Sequence, residues 1–569
     1  MNRYFCCLRQ RVATGIATET PKHRKIQFCF CDSVSLPTGR QVCGKVYLWQ
    51  KNPEVNKMKF SWLIKSESYK KGVIYSTGLN IIAGGMQFLN TLIIAFFFGT
   101  SIGTDIYFFV ITVTILITTS IINGIDSIIL IPRAMYLRER EGEAASVNFL
   151  NFFILLYLVI GLVTFLIIIA SPVVFYNIFS KFPPGKLEQY KYLLYAGSGL
   201  IFFKLINNFL GTILSSYKYF SITILTSLVT SLFSILITIL FHKQLGIAGT
   251  LTAVAASYFI NFLFLLAVMK LQLKWRFSRF VFVKDKHLWA NIGLMQLNIL
   301  PVWLRNYITL FLLTSLGEGI VSSVNLAQQV SGIIDALIIA QVLSVAGIKF
   351  NELYARMDMA ALNTMFIKTA NYLLLLLMPV VLIIFFYAGD ITAIIFNRGS
   401  MEKNSLDTIG MCLRYLILLS PLLLLNSICT RIFSSTQVIR QGLLYSFSGH
   451  VIFLLLTILL INWLHLKGYL YSMLAGYCVI IFLFYRLFKL KLGQIDFDTV
   501  LKFGFKQLLI NLIIALPVFY ILKKLTDINN IILLCIAVFI QVSIIGLVNK
   551  KLLHFSVITD LFNGGNKPL

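Results

Sequence analysis

Between residues 73 and 549 the chain is a succession of apolar runs of about twenty or more residues, separated by short stretches of charge and turn residues. Each run is long enough to cross the roughly 30 Å hydrocarbon core of a bilayer as a helix. Lipid offers no partner to backbone N–H and C=O groups, so such runs must satisfy them internally, and runs of this length do so as helices. The fold class is therefore all-α, a polytopic membrane protein. Only 12% of the residues are charged, about half the share usual in soluble domains. The breaks predict about fourteen spans, at 73–98, 106–132, 148–170, 191–214, 221–241, 245–269, 288–313, 320–345, 366–388, 406–429, 441–462, 468–488, 502–522 and 530–549.

A formal charge of +27 would suit a nucleic-acid partner, but no basic block is interleaved with aromatics, and Lys and Arg gather at the ends of apolar runs. Nucleic acid is excluded as a partner on that ground; membrane topology and anionic lipid account for the charge. With both termini cytoplasmic, the inner segments carry roughly 27 Lys and Arg against roughly nine outside, the direction the positive-inside rule requires. The richest inner stretch leads into a linker over 274–287. Residues 1–57 have mixed charge, turn residues and no apolar core for a signal peptide. They read as disordered or as a mis-called extension ahead of Met58, with 58–72 a cytoplasmic start and 551–569 a cytoplasmic tail. The nine cysteines show no metal-ligand spacing, and no metal site is expected.

A repeat organises the rest. Phe88–Phe96 matches Trp303–Phe311; Ile213-Leu-Ser-Ser216 matches Ile432-Phe-Ser-Ser435; Lys270-Leu-Gln-Leu273 matches Lys489-Leu-Lys-Leu492, the later pairs at an offset of 219. This predicts a first lobe over 73–273, a second over 288–492, and two additional spans over 493–550. Six spans per repeat is an even number, so both lobes enter the membrane the same way. Repeats of that kind are transporter architecture.

Polar side chains at bilayer depth are costly and normally face a cavity or a partner. In span two Thr112, Thr119, Asn123 and Asp126 share a helix face. In span eight Asn325, Gln328 and Asp335 do so, with Gln329 beside them. Span seven contributes Asn298 and Arg305, with Pro301 able to open its hydrogen-bond ladder; span four contributes Lys204; span one contributes Asn90, the repeat partner of Arg305. The functional reading is a hydrophilic cavity between the lobes, lined by spans one, two, seven and eight, where cations meet an anionic substrate and carboxylates take part in coupling. The alternative is structural pairing, for instance of Arg305 with Asp335 or Asp126. No phosphate-binding loop, zinc-protease motif or nucleophile elbow is present, so an ATPase or hydrolase is not expected and no cofactor is implied. A Na+ or H+ gradient, or the membrane potential, is left as the energy source.

The segment Phe98-Gly-Thr-Ser-Ile-Gly-Thr-Asp-Ile-Tyr-Phe-Phe109, the stretch Val321-Ser-Ser-Val-Asn-Leu-Ala-Gln328 and the turn Ile394-Ile-Phe-Asn-Arg-Gly399 together resemble the MurJ/MviN family of lipid II flippases, in the multidrug, oligosaccharidyl-lipid and polysaccharide exporter superfamily. The likeness runs from residue 73 to about 550. It implies a flippase, acting as a monomer in the bacterial cytoplasmic membrane, that carries a polyprenyl-pyrophosphate-linked cell-envelope precursor by alternating access. It also implies a gating or structural role for Asp105. The cavity arginines of that family would fall near Gly84, Asn90 and Gln329, and none is present. Lipid II and a related lipid-linked polysaccharide unit therefore both stand as substrates. A cation-coupled small-molecule exporter is the alternative, with a membrane glycosyltransferase or polymerase behind it.

Overall fold

Helix succeeds helix along the chain, as a backbone sealed from water requires. The computed structural model describes residues 69–122, 124–277, 283–436, 438–524 and 530–548. The expected extension over 1–57 and tail over 551–569 lie outside them. The first half comprises α1 (Tyr69–Phe98), α2 (Ile102–Ile122), α3 (Ile131–Arg140), α4 (Glu143–Ala170), the short α5 (Pro172–Asn177) and α6 (Lys186–Gln189), α7 (Lys191–Ser216) and α8 (Phe220–Gln272). The second comprises α9 (Lys286–Leu313), α10 (Ile320–Ile334), α11 (Gln341–Ala355), α12 (Met359–Phe386), α13 (Ala388–Phe396), α14 (Lys403–Ile417), α15 (Ser420–Ser435) and α16 (Ile439–Lys491), after which come α17 (Phe497–Lys523) and α18 (Asn530–Val548). Among the described residues there is no strand, and nine helical stretches are long and apolar enough to cross a membrane.

The two longest helices carry the repeat. Both α8 and α16 run for 53 residues, and they begin, break and end in the 219-residue register: Phe220 with Ile439, Gly246 with His465, Gln272 with Lys491. The breaks are backbone reversals, at Gly246 (φ 55°, ψ −156°) and His465 (φ 53°, ψ −128°). Each element is thus a hairpin of two helices, covering two of the expected spans. Across the first hairpin the Thr238 and Thr250 hydroxyls meet at 3.0 Å and Asn261 Nδ2 donates to Thr226 O at 2.9 Å.

The halves share a second device. Asp126–Leu130 and Asp335–Ala340 are π-helical, and each opens on an aspartate just beyond α2 or α10. A π turn shifts the side-chain register by one residue, and such bulges concentrate at functional sites. One apolar core runs through both halves, while a smaller one gathers α3, α4, α7 and the arms of α8 around Phe153, Phe209 and Trp275. Where the linker begins, fully buried Asn151 of α4 ties it down, accepting from Trp275 Nε1 and donating to Arg276 O, both at 2.8 Å. Asp285 then caps α9 by accepting from the His287 and Leu288 N–H groups.

The positive φ is free for Gly246 and costs His465 about 1–3 kcal/mol. His465→Gly should therefore raise stability by about 1 kcal/mol and Gly246→Val lower it by about 1–3 kcal/mol. Thermal unfolding of the purified protein in detergent checks both, and an unchanged or lower midpoint for His465→Gly would remove the strain argument.

Candidate functional site

The halves are tied at the end where α1 meets α2. Asp105, in the first turn of α2 and fully buried, accepts from the Gly319 N–H at 2.6 Å through Oδ2 and from the Ser322 N–H at 2.7 Å through Oδ1. It so caps the N-terminus of α10, whose unpaired N–H groups and dipole favour a carboxylate. The favour is returned, because Glu318 Oε1 accepts from the Ile102 N–H at 2.9 Å at the start of α2. Gly319 has φ 80°, and a Cβ there would lie 2.9 Å from Thr100 O, so glycine alone fits this approach. The Thr100 and Ser405 hydroxyls meet at 2.5 Å, and Ser400 N–H donates to Phe96 O at 2.9 Å. These contacts surround a polar cavity of about 390 Å³ lined by Ser101, Glu318, Ser323, Glu402 and Asn404 among others.

Toward the other end of the helices each half holds a polar recess. In the second half Asp335, Ser427, Thr430, Arg431 and Ser434 line about 670 Å³, where α15 faces the π turn. In the first half Asn207, Asn208, Thr212, Ser215, Thr226 and Asn261 line about 530 Å³ between α7 and α8, with Ile122 of α2 at its edge. One wall of each corresponds in the 219-residue register, Ser427 of α15 to Asn208 of α7, Arg431 to Thr212 and Ser434 to Ser215, while the facing walls are the π turn with α11 in one and α8 in the other. Chemically they differ: the second has a cation and a carboxylate in its lining, and the first is lined without charge. A third cavity, of about 510 Å³, is mostly apolar and lies between α2 and α9 around Ser120, Gln296 and Trp303.

The candidate residues fall into separate surroundings. Asp335 lines the charged recess. Asp126, buried, accepts from the Tyr157 hydroxyl of α4 at 2.7 Å. Arg305, buried, donates through Nε and Nη2 to Asn306 Oδ1 at 3.2 and 2.7 Å and lies 4.5 Å from the Phe453 ring centre. Pairing of Arg305 with Asp126 or Asp335 is thus not what the structure contains. Asn325 donates to Val321 O of its own helix, and Gln328 donates to the Tyr469 hydroxyl at 3.0 Å. Gln329 is half-buried on the next position of α10. Lys204 lies on α7 one turn from Asn208, and Asn90 is half-buried on α1 with its Oδ1 unpaired among the described residues. Pro301 is buried inside α9, which continues through it. Asn123 and the side chain of Asn298 lie outside the described residues. Arg431, Glu318 and Tyr157 were not among the expected site residues. Arg431 was within reach of the sequence, being adjacent to the matched Ile432-Phe-Ser-Ser435 and aligned with Thr212 of the polar face in span four.

Comparison with known proteins places this arrangement. The family described as lipid II flippase MurJ matches residues 94–539. No curated protein sequence matches the chain. Among solved structures, a lipid II flippase MurJ in an inward closed conformation superposes with a TM-score of 0.70 at 16% identity, covering 84% of this chain and all of that one. A multidrug-resistance MATE transporter in its inward-facing conformation reaches 0.55 at 16% identity, over 76% of this chain and 96% of that one. A transporter of the MOP superfamily from Pyrococcus furiosus reaches 0.54 at 17% identity, over 77% and 99%. At these identities the structural likeness speaks for the fold alone, and the family match extends over most of the chain. The chain belongs to the MurJ lipid II flippase family.

Proposed function

We propose that this protein flips a polyprenyl-diphosphate-linked cell-envelope precursor, lipid II or a related lipid-linked polysaccharide unit, across the bacterial cytoplasmic membrane. The observation that carries the reading is the recess holding Arg431 with Asp335 on the second half. A guanidinium binds diphosphate oxygens through paired N–H donors and keeps its charge at every working pH. The expected cavity arginines of the family are absent from span one and span eight, and Arg431, on α15, supplies a cation from another helix. Arg305 and Lys204 are further cations at membrane depth and act on the same charge. The prenyl chain stays in lipid while the head group passes between the halves.

Alternating access needs a barrier at one face while the other is open. Fourteen crossings with both termini cytoplasmic put the junction of α1 and α2 on the outer face, so the reciprocal caps of Asp105 and Glu318 close the outward path. From Ser405 at that closure, α14 and α15 run to Arg431, roughly 40 Å of helix rise away. In this topology the recess lies on the cytoplasmic side, where the substrate arrives. The protein works as a monomer, driven by a Na+ or H+ gradient or by the membrane potential. Buried Asp126 and half-buried Asp335 favour the second reading, a cation-coupled exporter, in which both carboxylates are indispensable and Arg431 is not.

Arg431→Ala should lower flipping about ten- to a hundredfold, the loss of a charge-assisted contact of about 1.5–3 kcal/mol, with Arg431→Lys retaining part of the rate. The measurement is head-group accessibility in liposomes carrying labelled lipid II or a labelled polyprenyl-linked saccharide unit. Wild-type rates for Arg431→Ala on both substrates would eliminate the assignment. A disulfide formed between Thr100→Cys and Ser405→Cys should stop transport until a reductant is added. Undiminished transport by the oxidised protein would show that this junction does not open during the cycle.

A further inference from the structure

The uncharged recess of the first half has no part in binding diphosphate, yet it is built as a site. Its frame is two amides. Asn207 Nδ2 donates to Tyr258 O at 2.8 Å, and Asn261 Nδ2 donates to Thr226 O and to Thr230 Oγ1, both at 2.9 Å. Both side chains therefore spend donors on holding α7 and the two arms of α8 together. Asn207 is only 8% exposed, lines the recess, and its Oδ1 has no hydrogen-bond partner among the described residues. A buried, unpaired carbonyl oxygen calls for a donor.

The hydroxyls around it present the same polarity. Thr212 donates to Asn208 O at 2.9 Å, Thr223 to Phe220 O at 2.9 Å and Ser227 to Ile224 O at 2.7 Å. With each proton committed to the backbone of its own helix, what these oxygens offer the recess is lone pairs. The lining contains neither carboxylate nor cation. An uncharged wall of such oxygens, with the Asn208 amide and the Ser215 hydroxyl beside them, suits a neutral ligand rich in O–H and N–H groups. At about 530 Å³ the recess falls in the range of small-molecule sites, roughly 300–1,000 Å³. A bare cation needs its oxygens gathered within about 2.6 Å of one point, and here they are spread along three helical segments.

We propose that this recess binds a neutral sugar ring of the transported head group, reading its hydroxyl and amide donors, while the diphosphate is held at Arg431. The inference rests on the flippase reading and divides the head group between the two halves: the equivalent helices α7 and α15 each line a recess, and Arg431 standing where the other helix has Thr212 suits each recess to a different part of one ligand.

The test compares two probes on the intact protein in detergent: polyprenyl diphosphate, and the same lipid carrying one N-acetylhexosamine. Wild type should hold the sugar-bearing probe more tightly. The variant Thr212→Val, Thr223→Val and Ser227→Ala removes three hydroxyls whose only donation is to their own helices, so folding is preserved. It should bind the sugar-bearing probe about tenfold more weakly and the bare diphosphate as wild type does. The single change Asn208→Leu, at an exposed residue of the lining, serves as a second variant and should give the same discrimination. Equal affinities of wild type for both probes, or equal losses in the variants, would overturn the sugar assignment and leave the flippase reading standing. Failure of wild type to bind either probe would bring down both. Loss of Na+ dependence in the variants without loss of sugar discrimination would replace the sugar with a cation and also overturn the proposal.

Discussion

Everything in this molecule depends on the absence of water around its backbone. In hydrocarbon each N–H and C=O must find its partner within the same segment, and only the ends of helices and their breaks leave groups to spare. Those spare groups are where the structure concentrates its polar contacts. The first turns of α2 and α10 expose N–H groups, and Asp105 and Glu318 each satisfy the helix of the opposite half. The closure between halves is thus made from the obligations of helix termini, with carboxylates aimed at dipoles. Such a contact is strong when dry and is replaceable by water.

The repeat explains how one chain acquires two unlike pockets. Hairpins α8 and α16 share length, break point and end point in a single register, and the equivalent helices α7 and α15 each give one wall to a recess. The opposite walls differ, α8 in the first half and the π turn with α11 in the second. Thr212 and Arg431 occupy equivalent positions, so one recess carries a cation where the other carries a hydroxyl. The paired π turns at Asp126 and Asp335 follow the same pattern. One aspartate accepts from Tyr157 within its own lobe, and the other borders the charged recess.

The sequence by itself determined the class of the molecule. Runs of apolar residues specify helices in lipid whatever their neighbours are, and a constant offset between matched segments specifies two like lobes, because both signals are local or periodic. It also marked Asp105, through a motif confined to one turn, and Asp335, through the polar face of span eight. Tertiary structure alone decided what those groups meet. A 3.6-residue periodicity says which residues share a helix face but not which helix lies opposite, so Arg305 came to rest over Phe453 and not beside a carboxylate. The π turns altered the register beyond each aspartate, and straight helical spacing does not anticipate that. Arg431 and Asp335 come to line one recess through packing between α15 and the segment after α10, elements far apart in the chain, which no pattern within either segment encodes.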